Sequence, residues 1–349
     1  CLAFARGMYF YNITTLMKLS RNTKRFINYV LGPLLFLWLS YSLYLQIKNQ
    51  KGLKEAWEQI QQTPVSRLII YFSVVLILMM VNWLIEAVKW QRILKNVQQI
   101  SLAKAFKAIL CGVSFSATTP NRVGEYAGRV LFLEEGNRLR SVSLTIVCSM
   151  SQLIITIAMG CMGMFFLWNE LSGSSIFEQN RVWIMVLIFA APAGLLFLLF
   201  FYFRISYFTR LIEKISWFKK NKYLVEEMER AESGLLLQLL FLSLFRFTVF
   251  SIQYYLMFHL FGVAISFWQS WCVISVAFLV LAVIPSIAIA ELGLRGTIIW
   301  ELMKFFTVNS LGVTIATVVI WFVNLIVPAI AGTVLIAGVK LYQKKTEEA

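Results

Sequence analysis

Apolar residues along this chain run in long unbroken blocks, not at the three-and-four spacing of a half-buried soluble helix. The blocks occupy 27–46, 68–89, 142–168, 183–203, 235–258 and 311–339. Each is long enough for a helix to cross the roughly 30 Å hydrocarbon core of a bilayer. Two further apolar stretches, 101–132 and 267–306, are interrupted partway by short polar, glycine-bearing breaks. The pattern predicts an all-α integral membrane protein with about six full spans and two broken, re-entrant helical hairpins.

The first break reads TTPNRVGEYAGR, residues 118–129. Pro120 removes a backbone donor and disfavours helix at the residue before it. Gly124 and Gly128 permit backbones to approach closely. A charge at the bilayer centre costs about 2.5–3.5 kcal/mol on insertion scales, so Arg122, Glu125 and Arg129 are expected to be paired or to face a cavity. The second break, 284–296, also carries a proline, Pro285, followed by Glu291, Gly293 and Arg295. In both breaks a glutamate precedes an arginine by four residues, so Glu125 reaches Arg129 and Glu291 reaches Arg295 on a helix face.

The two pairs are offset by 166 residues, and the same offset carries Leu68 to Gly234 and Trp168 to Val334, close to the ends of two other blocks. The chain therefore reads as two similar units, about 68–168 and 235–338. Expected topology makes them inverted. Broken helices in inverted units that meet near mid-membrane are the sequence signature of secondary transporters. Arg246 is a separate case, since it falls near the middle of the block 235–258. Glu291, Glu86 or a bound phosphate are its available partners. Glu86 itself lies near a block end beside Trp83, Lys89 and Trp90, where interfacial anchoring is expected.

Composition agrees with the pattern: of 349 residues 59% are apolar and 14% charged, far from the soluble norm. The net charge of +15 would suggest nucleic acid in a soluble chain. Its placement points instead to the cytoplasmic side of a bilayer, with no nucleic-acid partner. Basic residues collect in the tail 1–26, in 89–107, in 204–230 and at Lys340, Lys344 and Lys345, which predicts both termini inside. Lys48, Lys51, Lys54 and Arg67 fall on the predicted outer side, against that rule. Residues 27–340 form one membrane domain, and 341–349 a short cytoplasmic tail. Between the units, Phe208, Leu211, Ile212, Ile215 and Phe218 recur at helical spacing among basic residues, which predicts an amphipathic surface helix over about 206–232. Cys1 stands where an initiator is expected, and the basic flank from Met17 reads as a more natural start. The cysteines inside apolar runs are expected to be packed thiols.

All 17 acidic residues are glutamate and His259 is the one histidine. Aspartate-rich magnesium sites, a Ser-His-Asp triad and a histidine zinc site therefore have no residues to build them. No glycine-rich loop ending in Lys-Ser/Thr exists to hold nucleotide phosphates. The expectation is no metal, no cofactor and no ATP hydrolysis.

With these residues in view, the chain resembles the flippase-like transmembrane domain family, the membrane region of lysylphosphatidylglycerol synthases and their stand-alone relatives. Pro120, Asn121, Arg122, Val123, Gly124 and Glu125 resemble that family's Pro-Gly-Arg-x-Gly-Glu element, with Asn121 in place of a glycine. Glu291 to Gly296 resembles its second, glycine-rich element more loosely. The resemblance spans roughly 27–340 and implies a domain that handles membrane phospholipid or lipid-linked substrates. It does not imply the synthase activity, whose appended soluble domain has no counterpart in the sequence.

Three readings stand at this point. The first is a lipid translocator or lipid-binding transporter in which Arg122, Arg129, Arg295 and Arg246 neutralise a headgroup phosphate, while Glu125 and Glu291 hold those arginines or accept a headgroup amine. The second is a non-transporting membrane partner that regulates envelope-lipid enzymes; apart from the lipid, the expected partners are a second copy of the chain, as a homo-oligomer, or such an enzyme. The third is a membrane transferase with Glu125 as general base. A purely architectural role for the Glu/Arg pairs, pinning the re-entrant turns, stands beside all three.

Overall fold

The computed structural model describes residues 61–116, 123–205, 231–284 and 288–336, together with Glu58 and Thr119. The predicted block 27–46, both tails, Pro120, Arg122 and Pro285 lie outside the described residues, as does most of the expected surface helix at 206–232. Among the described residues every regular element is helical and no strand occurs.

The elements are α1 (Val65–Leu94), α2 (Leu102–Ser116), α3 (Gly124–Val130), α4 (Arg138–Phe166), α5 (Trp168–Ser172) and α6 (Ser175–Phe203). After the linker come α7 (Ser233–Leu260), α8 (Phe267–Val283), α9 (Ala288–Met303) and α10 (Ser310–Ile336). Five helices are long and apolar enough to cross a membrane: α1, α4 with the 3₁₀ turn that leads into it, α6, α7 and α10. They cover the five described blocks that the sequence predicts. Helix α8 is apolar but shorter.

Local chemistry sets the helix ends. Ser266 and Gln269 form a reciprocal capping box at the start of α8. Asn309 caps α10 by accepting from the Gly312 amide at 2.8 Å. Its side-chain nitrogen also donates to the Phe261 and Gly262 carbonyls, which ties α10 to the end of α7. There Gly262 takes φ of 69°, a left-handed cap that lets Val263 donate back to the Phe258 carbonyl.

Helices α1 and α7 lie side by side and antiparallel. Arg67, near the start of α1, bonds His259 at the end of α7, and Arg92, near the end of α1, donates to Gln238 near the start of α7. In α10 the Thr333 hydroxyl meets that of Ser114 in α2 at 2.6 Å, so the last helix packs on the first broken segment. Helix α3 folds back on α2 because glycine leaves room. A Cβ on Gly128 would lie 2.5 Å from the Gly112 Cα. Helix α6 stands at the periphery, with only 6% of its most apolar window buried. The described cysteines are free thiols, three of them buried.

Candidate functional site

On α1, Asn82, Glu86 and Lys89 are spaced four and three apart, so they share one helix face, and all three are buried. Glu86 is the hub. Its Oε1 accepts from Arg129 Nη2 at 2.9 Å, and its Oε2 pairs with Arg246 and lies 3.4 Å from Lys89 Nζ. Arg129 comes from α3 and also pairs with Glu125, one turn before it. Arg246 comes from the middle of α7, about 20 Å from either helix end at 1.5 Å per residue. Its Nε donates to Asn82 Oδ1 at 2.8 Å, and its guanidinium stands 5.5 Å from the Trp83 ring. Lys89 also donates to the Cys148 carbonyl of α4 at 3.3 Å.

Charges this deep require partners, because desolvation of an unpaired ion is costly. Arg129 of α3 and Arg246 of α7 reach Glu86 of α1, and Lys89 reaches the Cys148 carbonyl of α4, so the cluster also fixes α1, α3, α4 and α7 against one another. In the second break Arg295 pairs with Glu291 on α9, and its Nη1 donates to the Tyr254 hydroxyl of α7 at 3.4 Å. The Arg295 guanidinium stands 5.5 Å from the Phe278 ring.

Both breaks open on one cavity of about 560 Å³. Its charged lining is Glu86, Glu125, Arg246, Glu291 and Arg295. The cavity's neutral polar lining comes from Trp83 of α1 and from α4 and α10. The latter contributes Trp321 and, within the single π-helical turn Phe322–Ile326 that follows it, Asn324. Such turns displace side chains from the regular helical register and occur often at functional sites. At its margin are Val283 and Ile284, which are 65% and 37% exposed, so the rim is apolar. Around the cavity, among the described residues, four cations (Lys89, Arg129, Arg246 and Arg295) face three carboxylates (Glu86, Glu125 and Glu291).

The structure thus brings Glu125, Arg246, Glu291 and Arg295 to one space. Arg129 is 1% exposed and sits behind that lining, held by Glu86 and Glu125. Gly124 and Gly128 are buried in the seam between α3 and α2, and Gly293 is buried in α9. Glu86 departs from its expected role. It is no interfacial anchor, because α1 continues to Leu94 and keeps Glu86 and Lys89 inside the helix bundle. Lys89, Asn82 and Tyr254 were not legible as site residues from the apolar blocks. The polar stripe Asn82-Glu86-Lys89 on one helix face is the signal that marks the first two. Among the described residues no three metal-ligating side chains gather to hold an ion.

No curated protein matches the chain. A family match covers residues 26–332 and is described as the lysylphosphatidylglycerol synthase TM region. That match takes in every residue that lines the cavity, and the chain, a multi-pass membrane protein, belongs to this family.

Proposed function

We propose that this protein is a lipid translocator that carries the phosphate-bearing headgroup of a membrane lipid between leaflets without hydrolysing ATP. The observation that carries the reading is the convergence of Arg246, Arg295 and the first-break carboxylate Glu125 on one cavity, with Lys89 and Arg129 paired to its carboxylates from behind the lining. Guanidinium groups present forked donors that match phosphate oxygens. The family description, with its lipid synthase, supports a lipid as the cargo.

Before a headgroup arrives, Glu86 holds Arg246 and Glu291 holds Arg295. A phosphate entering the cavity takes over these arginines, so no buried guanidinium passes through an unpaired state. Arg129 acts by positioning Glu86 and Glu125. The acyl chains stay in the bilayer, passing over the apolar rim at Val283 and Ile284.

The halves α1–α4 and α7–α10 repeat one order: long helix, shorter helix, break, helix into long helix. Antiparallel packing of α1 on α7 supports reading them as inverted units that rock about the shared cavity. We read the chain as a carrier of finished lipids rather than the enzyme that makes them, in a bacterial inner membrane with both termini cytoplasmic.

The test is reconstitution into liposomes with headgroup-labelled lipids in both leaflets and a quencher outside. Transport exposes label from the inner leaflet in a headgroup-dependent way. No transfer above protein-free liposomes, across anionic, aminoacylated and polyprenyl-linked lipids, overturns the reading in favour of a non-transporting partner of lipid enzymes.

A further inference from the structure

We infer that the cavity selects an anionic headgroup bearing free hydroxyls, a phosphate-linked polyol or sugar, over an aminoacylated headgroup. This rests on the phosphate reading above and adds the chemistry of the group beyond the phosphate.

One wall of the cavity is a single face of α4, where Ser149, Gln152 and Thr156 stand three and four residues apart. Ser149 donates its hydroxyl proton to the Thr145 carbonyl and Thr156 donates its own to the Gln152 carbonyl. Each hydroxyl has one proton, so what remains to offer is lone pairs. Gln152 Oε1 has no partner. On α10, Asn324 donates its amide nitrogen to the Ile320 carbonyl at 3.1 Å. That bond fixes the amide's orientation and leaves Oδ1 as a second acceptor without a partner. This wall therefore asks for donors.

The same cavity also asks for acceptors. Trp83 Nε1, Trp321 Nε1 and Arg295 Nε belong to lining residues and have no partner. In this conformation these atoms, like Gln152 Oε1 and Asn324 Oδ1, are covered, so engaging a headgroup requires the lining side chains to move. Buried polar atoms are normally satisfied, so an unpaired set around one cavity points to a ligand.

A phosphate oxygen serves only the donors, and an ammonium serves only the acceptors. A hydroxyl serves both. Charge separates the remaining candidates. Glu86, Glu125 and Glu291 are each already engaged by arginine or lysine, so an ammonium finds no uncommitted carboxylate. A lysylated headgroup has a net positive charge, and the three lining carboxylates are already neutralised by Arg246 and Arg295 within the lining and by Lys89 and Arg129 behind it.

The experiment is competition against labelled phosphatidylglycerol for the full-length protein in nanodiscs. Competitors with identical acyl chains are phosphatidylinositol, phosphatidic acid and lysyl-phosphatidylglycerol. Both polyol lipids should bind at least about fivefold more tightly than phosphatidic acid, the ordinary worth of one net hydrogen bond. That ranking runs against bare electrostatics, since phosphatidic acid carries the denser negative charge. Lysyl-phosphatidylglycerol should bind most weakly. The double variant Gln152→Leu, Asn324→Leu should lose the polyol advantage while unfolding at the wild-type temperature. Phosphatidic acid binding as tightly as phosphatidylglycerol, with Arg295→Gln weakening both, overturns the hydroxyl inference and leaves the phosphate site standing. Tightest binding of the lysylated lipid also overturns it. No competition by any of these lipids, and no effect of Arg295→Gln, removes both readings.

Discussion

Glu86 of α1 and Arg246 of α7 form a buried ion pair between residues 160 apart in sequence, one in each half of the chain. Arg129 of the first break and Lys89 share the same carboxylate, so one side chain holds three cations from three helices. The halves are therefore joined at the wall of the cavity and not only through apolar contact at their surfaces.

Removing that carboxylate leaves three cations buried near one another without their common partner. Glu86→Gln is expected to cost about 3–5 kcal/mol, the usual range when one member of a buried pair is lost. Glu301→Gln breaks a pair whose side chains are 38% and 44% exposed and should cost at most about 1 kcal/mol. Unfolding in detergent measures both. A double-mutant cycle with Arg246→Gln should return a coupling of at least about 1 kcal/mol between residues 86 and 246.

The seam between α2 and α3 tests the local architecture of the first break. Gly128→Ala places a methyl group 2.5 Å from the Gly112 Cα and amide nitrogen, which belong to backbone and cannot rotate away. About 1–3 kcal/mol of destabilisation is expected from overpacking, together with displacement of Glu125 from the cavity. Gly136→Ala meets nothing within 4 Å and should leave the unfolding temperature unchanged.

Asn309 joins the end of α7 to the start of α10 through three hydrogen bonds from one side chain. Asn309→Ala removes the helix cap and leaves two carbonyls without their donor. A loss of about 1–2 kcal/mol is expected. Asn309→Asp keeps the cap acceptor but sets a carboxylate oxygen against the Phe261 and Gly262 carbonyls, and so should not recover wild-type stability in the same unfolding measurement.

Much of this was legible in the sequence because bilayer physics writes in long apolar runs and punishes stray charge. The runs at 68–89, 142–168, 183–203 and 235–258, and the described part of 311–339, each became a long helix. The spacing of Glu125 to Arg129 and of Glu291 to Arg295 gave the two pairs that the structure contains. Arg246, too deep to reach water, had Glu86 among its available partners. What was not legible depends on how far a helix continues past its apolar run. Helix α1 extends five residues beyond Lys89, which turned an apparent interfacial anchor into a buried hub. The π-turn at Phe322–Ile326 carries no residue signature, so Asn324 had nothing to mark it out. Tyr254 reads as an ordinary aromatic until Arg295 is seen beside it.

A lipid with a photoactivatable group on its headgroup, cross-linked in liposomes and mapped by peptide mass spectrometry, reports directly on the shared cavity. Labelled peptides should come from both halves, from the α4 face at Ser149–Thr156 and from α8 or α10 near Ile284 and Asn324. Arg246→Gln and Arg295→Gln should each reduce labelling of both sets together. Labelling confined to one half, or to the peripheral helix α6, would contradict a single headgroup site built between the two breaks.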